Sequence, residues 1–243
     1  MRRALTFPII LALLFGGGFL LYQAIITRQI SLNDWFVGDM VRGVDVSSYQ
    51  INTDFSVLES NNIAFAYIKA TEGSSHKDPS FAEKWQAVAE TDILSGAYHY
   101  FSYESSGAAQ AENFISTVGD LSGRLIPAID LELTTEEVKN PPEKDVVVRS
   151  LKSFIAILEE EYGVKPLLYS RQDYYEKYLA DDFSDYPRWI TNFFYPVFLE
   201  AGDDWTIWQY TDIGIIKNSH SGEKHIDLNV LNRKITLEDL KVK

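Results

Sequence analysis

The chain has 243 residues, 46% hydrophobic content and no cysteine, which is enough for one sizeable domain and too little for two comfortable ones. A fold without cysteine owes nothing to disulfides, and cysteine usage leaves the compartment open. The net charge of −13, with no basic stripe or cluster against it, argues against nucleic acid as a partner and is explained by a well-solvated acidic surface.

The first 28 residues stand apart. Arg2 and Arg3 precede an uncharged run from Ala4 to Thr27, and Arg28 follows it. As a helix this run would span roughly 36 Å, enough to cross a bilayer core with some tilt. Gly16, Gly17 and Gly18 are common residue types in membrane helices. A cleaved signal peptide is the competing reading. Signal cores run about 7 to 15 residues and end at a small-x-small site, whereas this run is longer and Tyr22-Gln23-Ala24 is a poor cleavage match. The sequence therefore predicts an uncleaved signal-anchor over 1–28, crossing the membrane once. Arg2 and Arg3 stay cytoplasmic and the remaining chain is periplasmic or extracellular. Residues 29–38 read as a short linker whose Trp35 and Phe36 suit a membrane interface and a domain surface equally.

From residue 39 onward, short β-rich runs alternate with helical ones. Segments 43–47, 65–71, 95–101, 126–132 and 165–170 are rich in Val, Ile, Tyr and Phe and read as strands. Between them, 78–92 opens on Asp-Pro and carries Phe81, Trp85 and Val88 on one helical face. Residues 107–120 and 143–163 are also helical. The latter places Val147, Leu151, Phe154, Ile155 and Leu158 at helical spacing and ends at Gly163. Later strands, 187–194, 204–211 and 225–231, follow with mostly loops between them. Eight strands in this rhythm predict a small α/β barrel of the TIM type with several late helices missing. An open doubly wound sheet is the alternative, but no Gly-rich turn follows the first strand.

Chemistry in such a barrel belongs at the C-terminal strand ends. Those positions carry Asp45, Asp130, Glu132 and Asp227, together with the aromatic and amide side chains Tyr100, Tyr169, Trp189 and Gln209, and Tyr49 and Tyr67 are further substrate-binding candidates. Carboxylates with aromatic walls suit carbohydrate hydrolysis. One carboxyl must hold a proton for the leaving oxygen, another must stabilise positive charge at the sugar, and rings pack on sugar faces. In a continuing strand Asp130 and Glu132 would share one face about 6 to 7 Å apart at Cα. Their repulsion would raise one pKa, making Glu132 the general acid and Asp130 the group that tunes it. Taken alone, an Asp-x-Glu at a strand end is more often a helix cap or an ion-pair partner, and it is the joint placement of acids at three strand ends that favours chemistry. His76, His99, His220 and His225 lack metal-ligand spacing, so neither a metal nor a cofactor is expected. No serine or cysteine nucleophile motif is present.

Several segments together carry a family resemblance. "RGVDVSSYQ", "FAYIKATEG" with "KDPSF", "SGAYHYFS", "PAIDLE", "PLLYS", "RWIT", "WTIWQYT" and "IDLNV" follow the order seen in glycoside hydrolase family 25, the Chalaropsis-type lysozymes, from about Arg42 to Asn232. The resemblance implies a barrel of eight strands with about five helices. It also implies a muramidase cutting the β-1,4 bond from N-acetylmuramic acid to N-acetylglucosamine in peptidoglycan, with no cofactor. Position by position it makes Glu132 the catalytic acid, Asp130 its assisting carboxylate, and Asp45 and Asp227 the further acids of the floor. It implies either participation of the substrate's 2-acetamido group or inversion through an activated water. Two departures touch glycan preference. Tyr49 stands where relatives often have tryptophan, and His76 where an aromatic is common. A glycan-binding scaffold on a degenerate barrel, or a hydrolase of another N-acetylglucosamine polymer, are the other functions weighed. Nothing in the sequence points to a protein partner.

Overall fold

The computed structural model describes residues 17–19, 33–217 and 225–243. The predicted anchor lies outside the described residues except for the helical Gly17, Gly18 and Phe19. Among the described residues no helix is long and apolar enough to cross a membrane. Asn33 opens a helical turn, α1 (Asp34–Val37), so the described part of the expected linker is docked on the domain. The Asn33 side-chain amide donates to the carbonyls of Asn192 and Tyr210, 3.0 Å each, and Val37 is fully buried.

Strands β1 (Arg42–Val46) and β2 (Ile63–Glu72) follow, and then a two-residue β3 (His76–Lys77) that pairs only with the end of β2. Next come β4 (Leu94–Tyr100), β5 (Ala128–Asp130), β6 (Leu167–Ser170), β7 (Arg188–Thr191), β8 (Ile207–Gly214) and β9 (Ile226–Leu231). All except β3 close into an eight-stranded barrel, with β1 paired to both β2 and β9. Neighbours from β1 through β8 run parallel. Strand β9 is antiparallel to both of its neighbours, a departure from an all-parallel barrel. Its cause is the connection: a parallel partner needs a crossover of a dozen or more residues, usually helical, and only residues 215–225 join β8 to β9.

Helices cover the early strands. After α2 (Phe55–Ser60) and α3 (Phe81–Val88), α4 (Gly107–Val118) is capped by the Ser106 hydroxyl accepting from the Ala109 N–H. A short α5 (Thr135–Lys139) is closed by a reciprocal Thr134–Glu137 capping box. The long α6 (Lys144–Tyr162) buries one stripe, from Val147 through Leu158, and stops at Gly163 with φ of 68°, the left-handed conformation that glycine adopts most easily. Afterwards only α7 (Gln172–Tyr174), its π-helical continuation Tyr175–Leu179, and α8 (Phe198–Ala201) remain before a final 3-10 turn. The outer face of β7 to β9 is therefore sealed by a second apolar cluster. Val37 of α1 and Val197 beside α8 pack there with Ile190, Trp205, Trp208, Tyr210 and Val230.

Four described glycines are dictated by close approach, among them Gly214 beside Leu228 and the Ile226 carbonyl. A Cβ on Gly43 would lie 2.3 Å from the Phe65 ring, and one on Gly96 2.5 Å from the Tyr67 ring. These are the cross-strand partners on either side of β2. Helices α4 and α6 meet at Gly107, where a Cβ would come within 1.8 Å of the Ser150 carbonyl oxygen. His99, fully buried on β4, ties the sheet to α4. Its Nε2 lies 2.9 Å from Gln110 Oε1, and its Nδ1 lies 2.7 Å from Thr71 Oγ1. Burial holds its pKa down to about 4, so the ring is neutral. The proton belongs on Nε2, facing an oxygen that can only accept. The histidine is a structural tie between layers.

Replacing Gly107 by alanine forces the two helices apart. We expect a loss of about 1 to 3 kcal/mol, read calorimetrically as a melting temperature lower by roughly 2 to 12 °C for a domain of this size. A variant melting with the parent would refute the contact.

Candidate active site

The antiparallel closure decides which residues share a rim. Asp45, near the C-terminal end of β1, stands in register with Asp227, near the N-terminal end of β9. Two acids from opposite strand ends thus reach the same mouth, and the two side chains are hydrogen-bonded. With them a cleft of about 480 Å³ is lined by Asp130, Glu132, Tyr49, Tyr100, Tyr169, Trp189 and Gln209, within the size range of small-ligand sites.

A chain of hydrogen bonds crosses the floor of this cleft. The Tyr169 hydroxyl lies 3.3 Å from Glu132 Oε1 and 2.9 Å from Gln209 Oε1. Gln209 Nε2 donates to Asp45 Oδ2 at 2.9 Å, and Asn229 Nδ2 donates to the same oxygen at 2.7 Å. Asn229 Oδ1 accepts in turn from the Trp189 indole at 2.8 Å. One phenolic hydrogen cannot serve two acceptors. Gln209 already spends its amide donor on Asp45, so its oxygen takes the Tyr169 hydrogen. The bond to Gln209 is the shorter of the two, and the longer one, to Glu132, favours the ionised carboxyl; burial outweighs it and raises the Glu132 pKa. At Asp45 burial also raises the pKa, and the bonds from Asn229, Gln209 and Asp227 oppose it.

Asp130 is in the harshest position. Its Oδ1 is buried with no hydrogen-bond partner among the described residues. Burial, then Glu132 and Asp45, push its pKa well above the usual carboxylate range, with Lys69 the opposing charge. The strand expected to run through residue 132 stops at Asp130. The ladder is carried one residue further by the Leu131 N–H donating to the Tyr169 carbonyl at 2.9 Å, and the Tyr103 hydroxyl donates to the Glu132 carbonyl at 3.1 Å. Glu132 is therefore fixed on a loop by its own backbone and still faces the cleft beside Asp130.

The aromatic candidates divide. Tyr49 is 74% exposed at the rim, on a turn pinned by the Ser47 N–H donating to Gln50 Oε1 and the Ser48 N–H donating to the buried Asp78. Tyr100 lines the cleft with the Lys69 ammonium 4.7 Å from its ring centre, and Lys69 also pairs with Glu72 at 2.7 Å. Trp189 is only 3% exposed and is wedged between the rings of Tyr67 and Tyr169, so it supports the floor. Tyr67 does not reach the site. It is fully buried, and its hydroxyl donates to the Ile126 carbonyl at 3.1 Å, which places it in the packed barrel interior under Trp189. Asn229 was not singled out by the sequence reading. Its signal was its place two residues after Asp227, on the same strand face. Among the described residues no cluster of His, Cys, Asp or Glu is arranged to hold a metal ion.

The sequence profile of the glycosyl hydrolases family 25 matches residues 44–219. The chain is 35% identical over 205 residues to the uncharacterized protein YegX of Escherichia coli strain K12, covering 82% of this chain and 72% of that one. It is 27% identical over 188 residues to the autolytic lysozyme of Clostridium acetobutylicum, covering 77% of this chain and 55% of the lysozyme. Among solved structures, a family 25 glycosyl hydrolase from Bacillus anthracis superposes with a TM-score of 0.75 at 40% identity, over 79% of this chain and 88% of the other. A profile spanning most of the barrel and relatives this close over most of the chain leave one assignment: the chain belongs to family 25 of the glycosyl hydrolases.

Proposed function

We propose that this protein is a membrane-tethered muramidase that hydrolyses the β-1,4 bond between N-acetylmuramic acid and N-acetylglucosamine in peptidoglycan, with Glu132 as general acid. The observation that carries the reading is Glu132 in the cleft at the strand ends, its pKa raised by burial and its side chain tied through Tyr169 and Gln209 to Asp45. The names of its relatives, an autolytic lysozyme among them, support the substrate. The tether is the uncharged run from Ala4 to Thr27, with Arg2 and Arg3 on the cytoplasmic side and the barrel outside.

In this reading Glu132 gives its proton to the leaving 4-oxygen as the bond from that oxygen to C1 breaks. The substrate's own acetamido oxygen bonds to C1, and the resulting ring carries the positive charge. The Asp130 Oδ1, without a hydrogen-bond partner among the described residues, accepts the acetamido N–H and orients the group. Water then adds at C1 as the bond from C1 to the acetamido oxygen breaks, restoring the acetamido group, and the water gives its proton to the Glu132 carboxylate. Tyr49 and Tyr100 offer ring faces to the sugars.

Three outcomes follow from this assignment. Purified peptidoglycan digested by the protein and reduced with borohydride should yield reduced N-acetylmuramic acid ends by mass spectrometry, and Glu132→Gln should slow their release by about 10² to 10⁴. Reduced N-acetylglucosamine ends would change the bond cut, and an undiminished variant would remove Glu132 from its role. The first-formed product should retain the anomeric configuration by proton NMR, since inversion would assign water activation to one of the acids. Asp130 also leaves a stability signature. Its carboxyl stays protonated in the fold to higher pH than in the unfolded chain, so it costs stability increasingly as pH rises above about 4. Asp130→Asn should therefore inactivate the enzyme yet stabilise it at pH 7 by roughly 0.5 to 2 kcal/mol, a gain that shrinks on acidification toward pH 4. A variant less stable than its parent at neutral pH would show that Asp130 holds the fold together.

A further inference from the structure

Trp35 and Phe36 of α1 and Phe198 and Leu199 of α8 are 84%, 45%, 46% and 69% exposed. The two phenylalanine rings come together from segments far apart in sequence, 6.2 Å between centres in an edge-on contact. The pieces are rigidly based. Asn33 is bonded to Asn192, just past the end of β7, and to Tyr210 within β8, while Val37 and Val197 are buried beneath. The result is an apolar patch standing on a sealed core, on the side of the barrel that has lost its helices. Apolar residues gathered in this way mark a contact surface, and tryptophan at the edge of an apolar surface is the residue type of bilayer interfaces.

We propose that this patch seats the barrel on the outer face of the membrane that anchors it, with Trp35 and Leu199 entering the boundary between headgroups and acyl chains. The inference rests on the anchor proposed above. Thr27, the last residue of the uncharged run, is six residues before Asn33, a separation of at most about 22 Å even when fully extended. The patch is thus confined near the bilayer at high effective concentration. Of the acids near it in sequence, Asp34 is exposed with Arg42 as its opposing charge, Glu200 accepts from Asn192 and Tyr195, and two others are held in ion pairs. Asp39 pairs with Arg233 at 2.9 Å, and Asp203 pairs with Lys234 at 2.7 Å, whereas the chain as a whole is strongly acidic.

One segment connects this patch to the chemistry. Asn192, Phe193, Phe194 and Tyr195 form a wall of the cleft, and Phe198 and Leu199 lie three and four residues beyond Tyr195. The wall segment is fixed by the N–H groups of Phe194 and Tyr195 donating to Asn192 Oδ1 at 3.0 and 3.3 Å, and the turn beyond it by the Leu199 N–H donating to the Pro196 carbonyl at 3.0 Å. Seating the patch therefore holds the mouth of the cleft against the membrane, where it meets the glycan strands nearest the bilayer.

The test uses the full chain and its Trp35→Phe variant reconstituted in phosphatidylcholine vesicles, floated on a density gradient, with and without dibrominated lipid. The other four tryptophans are largely buried or half-buried, so the difference between the two proteins reports Trp35. We expect both proteins to float, and the Trp35 signal to fall roughly two-fold or more in brominated vesicles while resisting aqueous iodide. Phe198→Ser with Leu199→Ser should restore iodide access to Trp35 and leave cleavage of soluble glycan fragments at the parent rate. Flotation with Trp35 unquenched and open to iodide would overturn the seating and keep the anchor. Failure to float would overturn the anchor and the seating with it. Shielding of Trp35 by glycan fragments in place of lipid would make the patch a sugar surface and overturn the proposal.

Discussion

The antiparallel insertion of β9 between β8 and β1 is the constraint from which the site follows. It closes the barrel without a crossover helix and reverses one strand, so that the beginning of β9 lies at the mouth where the other strands end. Asp227 and Asn229 are thereby delivered to Asp45 by backbone register, and Asn229 links Asp45 to Trp189. A parallel eighth strand would place those side chains at the opposite end of the barrel. The same shortcut leaves β7 to β9 without outer helices, which is why α1, α8 and the tryptophans of the second cluster seal that side.

The floor of the cleft is organised at the expense of stability. Asp45, Asp130 and Glu132 all have pKa values raised chiefly by burial, and Asp130 has a buried oxygen with no partner among the described residues. Such groups persist only where the surrounding structure over-determines them. The surroundings do so here. Tyr103 holds the Glu132 backbone, Tyr169 and Gln209 hold the side chains, and the neutral His99 pins the sheet to α4. Stored electrostatic strain and a rigid scaffold thus lie in adjacent layers of one barrel.

Much of this was legible in the sequence, and the exceptions have physical causes. Strands rich in β-branched and aromatic residues, the buried stripe of α6 and the terminal Gly163 follow local rules. So does the gathering of Asp45, Asp130, Glu132 and Asp227, once a barrel is assumed. The direction of β9 was not readable, because a strand looks the same in either orientation. Tyr67 was misplaced because alternation gives the face of a strand and not the height along the barrel. Its side chain points inward, one layer too low. The strand ending at Asp130 ran past its ladder in the sequence reading, since Leu131 and Glu132 carry no local stop signal. Asn33 and Val37 resembled linker because their partners are some 150 to 190 residues away.

Gly43 and Gly96 flank β2 and leave room for the rings of Phe65 and Tyr67 to lie across them. Each glycine and its facing ring behave as one heritable unit. A side chain gained at the glycine has nowhere to go while the ring is present, and a ring lost while the glycine remains leaves a hole beside a bare backbone. Divergence at these sites has to pass through an unfavourable intermediate or change both partners together. Two glycines that take no part in the chemistry thus constrain how this barrel can change.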